Sequence, residues 1–100
     1  MNELQQYYLG SLAQRLEELE RLHQVLCEEP RPDDLASLRK IAHRLKGTGA
    51  SYGFDAISEA AMTLEAALDG AAGRWTSEVR EALEAFLTTL RRTLAQGAAK

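Results

Sequence analysis

The residues of this chain that could do chemistry lie around His43. A neutral imidazole is nucleophilic near pH 7, which makes His43 a candidate for covalent chemistry. Lys46 and Gly47 follow it by three and four residues, so in a helix all three share one face. That face would combine an imidazole, a cation able to contact an anion attached to the ring, and a turn that has no side chain. An ordinary exposed histidine would fit the same position, so both interpretations stay open.

The helix that carries His43 is predicted from apolar residues at steps of three and four, namely Leu35, Leu38, Ile41, Ala42 and Leu45. At about 100° per residue, His43 lies about 135° from the middle of this apolar stripe, on the solvent side. Gly47 costs a helix about 1 kcal/mol relative to alanine, so a glycine there needs a compensating role. With no side chain at Gly47, and small residues at Ala50 and Ser51, another protein surface could approach the imidazole.

Composition narrows the class of protein. The 100 residues are 45% hydrophobic and 27% charged, with a formal net charge of -3 and interspersed acids and bases. The absence of a basic stripe argues against a nucleic-acid partner. No apolar run approaches the length of a membrane span, and the N-terminus does not resemble a signal peptide. Cys27 is the only cysteine, which fits a reducing compartment, so a cytoplasmic protein is expected.

Four amphipathic segments predict an all-α chain with helices at about 3–28, 33–50, 55–69 and 76–96. Short connections between them predict one antiparallel four-helix bundle spanning residues 1–100. Gly10 makes a break near the start of the first helix possible. Gly53 is placed to stop the second helix, and the residues from Gly97 onward are expected to be a frayed tail. The predicted N-terminal signals of the later helices are Asp33 with Asp34, Asp55, and Thr76 or Ser77.

The spacing of His43, Lys46, Gly47 and Gly53 resembles the signature of histidine-containing phosphotransfer (HPt) domains. In that signature a Leu or other apolar residue, then Lys and Gly, follow the histidine, and a second Gly stands ten residues after it. The run is also similar to the phosphoryl-accepting domain of chemotaxis-type histidine kinases, where Gly-Phe stands at the place of Gly53 and Phe54. The motif covers about a dozen residues, and the four-helix layout extends the likeness to most of the chain.

The resemblance implies that His43 is phosphorylated on the ring nitrogen further from the backbone, in exchange with the aspartate of a response-regulator receiver domain. The receiver would supply Mg²⁺, so no cofactor of the chain's own is expected. Phosphoryl transfer needs mainly in-line placement and charge neutralisation, which agrees with the residues around His43. No glycine-rich phosphate loop of the Walker type is present, so the chain is interpreted as a transfer intermediate rather than an independent kinase.

Glu65 is the second candidate at this site. It lies about 70° from the centre of the third helix's apolar stripe, at a flank from which a carboxylate could reach a neighbouring helix. The resemblance to the chemotaxis-type domains implies that it hydrogen-bonds the imidazole and fixes its tautomer. A solvated glutamate on a helix edge is the alternative. The predicted docking surface for a partner comprises Arg44, Gly47, Ala50, Ser51 and Met62.

Other conspicuous residues are given structural interpretations. His23 projects close to the apolar stripe of the first helix, which favours a packed, hydrogen-bonded histidine over a reactive one. His23 and Cys27 could share a metal ion, but two ligands are too few for a structural zinc site, so no metal site is expected. Tyr52 and Phe54 are predicted to seal one end of the bundle, and Trp75 to pack at the opposite end or in the loop.

Three functions remain open from the sequence. The favoured one is a monomeric phosphorelay carrier that exchanges phosphoryl groups with receiver domains, a histidine kinase, or both. The second is the phosphoryl-accepting domain of a chemotaxis-like histidine kinase, which Gly53-Phe54 and Glu65 favour. The third is a helical adaptor that binds proteins without chemistry. Nucleic-acid and membrane partners are not expected.

Overall fold

The computed structural model describes residues 1–98, and within them the fold is all-α. This confirms the predicted fold class, and no strand occurs in that range. The helices are α1 (Glu3–Glu28), α2 (Pro32–Ser51), α3 (Asp55–Gly70) and α4 (Ser77–Ala98). None of these four helices has both the length and the hydrophobicity that a membrane crossing requires.

The four helices form an antiparallel bundle in which each helix packs against the next one in sequence and α4 returns to α1. The apolar stripe of every helix faces the bundle axis, because only that arrangement removes all four stripes from water together. α2 and α3, the two helices that carry the candidate residues, form the most extensive helix pair. Core residues that are completely buried include Leu12, Leu19, Leu26, Leu38, Ile57, Leu64, Leu83, Phe86 and Leu90.

The first helix is continuous through Gly10, so the break considered near its start does not occur. Buried residues on both sides of the glycine, Leu9 and Leu12, keep the helix packed against the bundle. The N-terminus is closed by a capping box, in which the Asn2 side chain accepts from the Gln5 amide at 2.8 Å. Packing and capping together offset the weak helix propensity of one glycine.

Two predicted caps are wrong in position. Arg31 is the N-cap of α2 and makes no side-chain capping bond, while Asp33 lies within the first turn. Pro32 explains the shift, because its fixed φ suits the first helical position and it has no N–H to satisfy. Asp55 is likewise the first residue of α3, after Phe54 as N-cap. Both aspartates still place negative charge at a helix N-terminus, where the helix dipole favours it.

The last helix begins as predicted but ends later. The Thr76 hydroxyl accepts a hydrogen bond from the Val79 amide at 3.2 Å, so of the two candidate caps Thr76 takes the role. Gly97 lies inside α4 rather than in a frayed tail. A Cβ atom built at Gly97 would collide with the Leu9 side chain, so the glycine allows the end of α4 to lie close against α1. Residues 99 and 100 of the predicted tail lie outside the described residues.

Aromatic residues close the end of the bundle where α2 turns into α3, as predicted for Tyr52 and Phe54. The Tyr8 ring stacks on Tyr52 at a centroid distance of 4.5 Å and on Phe54 at 5.6 Å. The Tyr8 hydroxyl lies 2.7 Å from the Thr48 hydroxyl, and burial raises the pKa of Tyr8. Gly53 turns the chain here with φ of +83°, a conformation that glycine adopts without strain. α1 thus fixes the loop that follows the His43 helix.

At the opposite end, Trp75 lies in the loop between α3 and α4 and packs, partly buried, against the core. Its large apolar ring covers core side chains that the loop backbone could not cover. The predicted position for Trp75 is therefore confirmed.

Candidate phosphoryl-acceptor site

His43 lies on the outward face of α2, with its side chain 64% exposed. Its neighbours Ile41, Ala42 and Leu45 are buried and fix the rotation of the helix about its axis. The apolar periodicity of α2 therefore sets the direction in which the imidazole points. The ring is open to an approaching molecule, while its backbone belongs to the most extensive helix pair of the bundle.

Glu65 of α3 reaches across to the ring. Its Oε2 atom lies 2.6 Å from the His43 Nδ1 atom, and its Oε1 atom lies 2.7 Å from the Lys46 Nζ atom. The glutamate side chain is only 10% exposed, in contrast to the imidazole that it contacts. The hydrogen bond from Lys46, followed by that from His43, lowers the pKa of Glu65 below its ordinary value against the opposing effect of burial. Glu65 is thus an ionised and nearly buried carboxylate at neutral pH.

An ionised carboxylate can only accept hydrogen bonds, so the His43 Nδ1 atom must donate the proton in the 2.6 Å contact. The tautomer is assigned from this hydrogen-bond pattern. In a neutral ring the lone pair then lies on Nε2, which has no hydrogen-bond partner among residues 1–98. The arrangement presents a nucleophilic nitrogen to solvent and holds the ring through the other nitrogen.

The Lys46 ammonium lies near the His43 ring, as the spacing in α2 predicts. The contact that holds it there, with Glu65 of α3, was not predicted from the spacing. The ammonium is bound to Glu65 rather than standing free near Nε2. Only one of its three N–H donors is used in that bond, and its side chain remains 36% exposed. Lys46 and His43 therefore share one carboxylate, and Lys46 keeps donors for an additional anion.

The predicted docking residues leave an open surface next to the ring. A Cβ atom built at Gly47 would meet no atom within 4 Å, so nothing within residues 1–98 occupies the space one turn beyond His43. Met62 is 51% exposed on α3, three residues before Glu65. We use the name docking face for the exposed residues Arg44, Gly47, Ala50, Ser51 and Met62.

Gly49, on the opposite side of α2 from the docking face, sets how α3 sits against α2, a role that the sequence analysis missed. A Cβ atom at Gly49 would lie 3.1 Å from the Ser58 amide nitrogen and 3.3 Å from Ile57. The Ser58 hydroxyl donates to the Lys46 carbonyl at 2.7 Å. The start of α3 is therefore held close to α2, which brings Glu65 within reach of His43.

An ion pair at the other end of the site was also missed. Arg39 donates to both carboxylate oxygens of Asp69, from Nε at 2.7 Å and from Nη2 at 3.2 Å. The same Nη2 atom lies 3.6 Å from Oε2 of Glu65. A spacing of four residues was the available signal, because Arg39 precedes His43 by one helical turn and Asp69 follows Glu65 by one.

The second histidine has a different environment. Its Nε2 atom lies 3.0 Å from Oε2 of Glu84 and 3.8 Å from the sulfur of Cys27. His23 is partly buried and hydrogen-bonded, as predicted. Within residues 1–98, no three His, Cys, Asp or Glu side chains are grouped so that they could hold a metal ion.

Fold and site together define a class of protein. The family model for the Hpt domain matches residues 3–95, which include all four helices almost completely, and the chain belongs to this family. This confirms the resemblance found from the residues around His43. The class is that of Hpt domains.

Among curated proteins, the chain is similar to the phosphorelay protein LuxU from Vibrio vulnificus, in both strain YJ016 and strain CMCP6. Each alignment has 40% identity over 50 residues, which is 50% of this chain and 44% of the relative. The match thus spans less than half the length of these relatives. No solved structure matches the chain significantly.

Proposed function

We propose that His43 carries a phosphoryl group on Nε2 and exchanges it with the aspartate of a response-regulator receiver domain. One observation carries the proposal: the imidazole is 64% exposed while its Nδ1 atom is bound to the nearly buried Glu65 carboxylate. Membership of the Hpt family and the similarity to a phosphorelay protein support the same chemistry.

The transfer step follows from the tautomer. The lone pair on Nε2 attacks the phosphorus of an aspartyl phosphate, the N–P bond forms, and the bond from phosphorus to the aspartate oxygen breaks. The aspartate leaves as a carboxylate, and the ring, which keeps its proton on Nδ1, becomes positively charged. Glu65 faces that charge at 2.6 Å and is already ionised, so this carboxylate is in place before the charge develops. The reverse step uses the same contacts.

Lys46 is proposed to neutralise the transferred group. Charge-assisted hydrogen bonds to a phosphoryl oxygen are stronger than neutral ones, and two donors of the Lys46 ammonium remain free for them. Mg²⁺ would be supplied by the receiver's acidic pocket, where it would neutralise phosphoryl charge. This chain would provide the nucleophile, its orientation and one cation.

The docking face is proposed to receive the partner. In-line attack requires the partner's aspartate to come close to Nε2, and the open space at Gly47 leaves room for that approach. Met62 on α3 adds an exposed apolar contact, and Arg44 on α2 adds an exposed positive charge. We propose one receiver at a time, bound by a monomer in the cytoplasm, where the exposed thiol of Cys27 would stay reduced. A histidine kinase is the alternative phosphoryl donor.

The phosphoryl-accepting domain of a chemotaxis-like kinase is the second candidate, and the Glu65–His43 contact favours it. The resemblance implies a glutamate at this place in that group of domains, and it also implies Gly-Phe at the position of Gly53-Phe54, which precede the helix that carries Glu65. The rates at which different phosphoryl donors label His43 distinguish a phosphorelay carrier from a kinase substrate domain. A carrier is expected to be labelled faster by phosphorylated receivers, and a kinase substrate domain faster by a chemotaxis-type catalytic domain with ATP.

The central test is labelling by a panel of receiver domains that have been phosphorylated with a small phosphodonor and Mg²⁺. The wild-type protein is expected to gain phosphate that is labile in acid and stable in base. His43→Gln should abolish this labelling while the helical circular-dichroism spectrum stays unchanged. His23→Gln is the matched control and should be labelled like wild type. Labelling that persists in His43→Gln would contradict the assignment, and binding without labelling would support an adaptor.

A further inference from the structure

The Glu65 carboxylate has three positively charged or proton-donating neighbours, which lie at different distances from its oxygen atoms. Lys46 is bound to Oε1, His43 is bound to Oε2, and the Arg39 Nη2 atom lies 3.6 Å from Oε2, just beyond hydrogen-bond distance. A carboxylate that is 10% exposed needs compensation for its charge, because removal of a charged group from water is costly. The hydrogen bond from Lys46 is the largest of the effects that lower the pKa of Glu65.

Lys46 would face two anions once His43 is phosphorylated. Its ammonium is a point charge on a flexible stem, and 36% of the side chain is exposed, so it can turn toward a phosphoryl group on Nε2. That movement would weaken its bond to Oε1 at the moment when the positively charged ring depends most on Glu65. Compensation of the Glu65 charge then requires a second cation that stays beside the carboxylate when Lys46 moves.

Arg39 has the geometry for this role. Its guanidinium is held by two hydrogen bonds to Asp69, at 2.7 and 3.2 Å, which fix the plane of the group without using every donor. A shift of about 0.7 Å would bring Nη2 to a usual hydrogen-bond distance from Oε2. Asp69 itself responds to this arrangement, since the bond from Arg39 lowers the pKa of its carboxyl group.

We propose that Arg39, held by Asp69, is a positioning residue for His43 that keeps Glu65 on the Nδ1 atom when Lys46 turns to the phosphoryl group. The inference rests on the proposed function. Lysine could not replace Arg39, because a single ammonium cannot hold both oxygens of Asp69 and reach Glu65 in a fixed orientation.

The test needs no phosphorylation, since Lys46→Gln imitates the departure of the ammonium. The Nδ1–H proton of His43 and the pKa of Glu65 are measured by NMR in wild type, Lys46→Gln, Arg39→Gln and the combined variant. Each single variant should keep a hydrogen-bonded Nδ1–H proton. The combined variant should lose that signal to rapid exchange, and its Glu65 pKa should rise by about one unit more than the sum of the single changes. In the Lys46→Gln background, Arg39→Lys should behave like Arg39→Gln.

The ion pair between Arg91 of α4 and Glu20 of α1 provides the control. It also joins two helices at 2.8 Å and is about half exposed, but neither partner contacts a histidine in the described residues. Arg91→Gln combined with Lys46→Gln should retain the Nδ1–H signal. The proposal is overturned if the combined Arg39 variant also retains it, or if the Arg91 variant loses it equally. Failure of His43 to accept phosphate would instead contradict the proposed function and leave this measurement valid.

Discussion

Two histidines of the bundle each contact a glutamate of a neighbouring helix, and the two pairs use opposite ring nitrogens. His43 is held through Nδ1 at 2.6 Å, whereas His23 is held through Nε2 at 3.0 Å. Glu65 is nearly buried and also bound by Lys46, whereas the Glu84 side chain is 50% exposed. The contact with Glu65 therefore leaves Nε2 of His43 without a partner, whereas the contact with Glu84 occupies Nε2 of His23.

The residue one helical turn after each histidine also differs between the two sites. Gly47 follows His43 by four residues and leaves open space, while Cys27 follows His23 by four and places its sulfur 3.8 Å from Nε2. Exposure alone thus does not make an imidazole a candidate nucleophile. Reactivity depends on which nitrogen is bound, how firmly its carboxylate is held, and whether the approach to the other nitrogen is free.

After the loss of His43 itself, the largest effect is expected from closing the open space at Gly47. Gly47→Leu should slow phosphoryl transfer from a receiver by about 100-fold, because a small displacement of the reacting atoms is costly. Helical content should not fall, since leucine has the higher helix propensity. The transfer rate is measured by rapid quench at saturating receiver. Gly10→Leu is the matched control, at another exposed helical glycine with no atom near its Cβ position; equal rates for both variants would remove the steric argument.

Exchange of the two glutamates for alanine tests the contrast directly. Glu65→Ala should lower the transfer rate by about 10- to 100-fold, because a hydrogen bond to a charged group is worth about 1.5–3 kcal/mol. Glu84→Ala should stay within about twofold of wild type, as expected for a surface pair. ¹⁵N NMR of the imidazoles should show that only the first variant loses the Nδ1–H tautomer of His43. Comparable losses of rate in the two variants would mean that the Glu65 contact has no special role.

Lys46→Ala should shorten the lifetime of phosphorylated His43, or slow its formation, by about threefold to tenfold through the loss of a charge-assisted contact. The lifetime is followed by the decay of base-stable label after the receiver has been removed. Lys40→Ala is the control, since Lys40 is an exposed cation of the same helix without an ion pair in residues 1–98. If lifetime and rate of formation both match those of the control, Lys46 has no electrostatic role in transfer.

The smallest effect concerns stability at acid pH. Folding lowers the pKa of Glu65 below its ordinary value of 4.5, so the native state binds fewer protons at this group than the unfolded chain. The resulting stabilisation is complete above 4.5 and is lost as the pH falls through the lower native value. The free energy of unfolding of wild type should therefore approach that of Glu65→Gln as the pH is lowered below 4.5. Urea titrations at several pH values measure it, and a constant difference would contradict the lowered pKa.

Much of the fold could be predicted from the sequence because the information is local. Apolar residues repeated at three and four residues define four helices, and the same repeats place His43 on the outside and Leu38 on the inside. Helix ends were less predictable. Pro32 rather than an aspartate determines where α2 begins, and Gly97 remains helical because α1 packs against it.

The sequence by itself determined a bundle of four amphipathic helices, an outward imidazole, and a turn without a side chain beside it. Only the tertiary structure decided that Glu65 is nearly buried, that it binds both His43 and Lys46, and that Arg39 is held by Asp69. Periodicity fixes directions around one helix axis, but these contacts join residues 19 to 30 positions apart on two helices. These contacts depend on the position of α3 along the axis of α2, and the close packing of α3 against Gly49 sets that position.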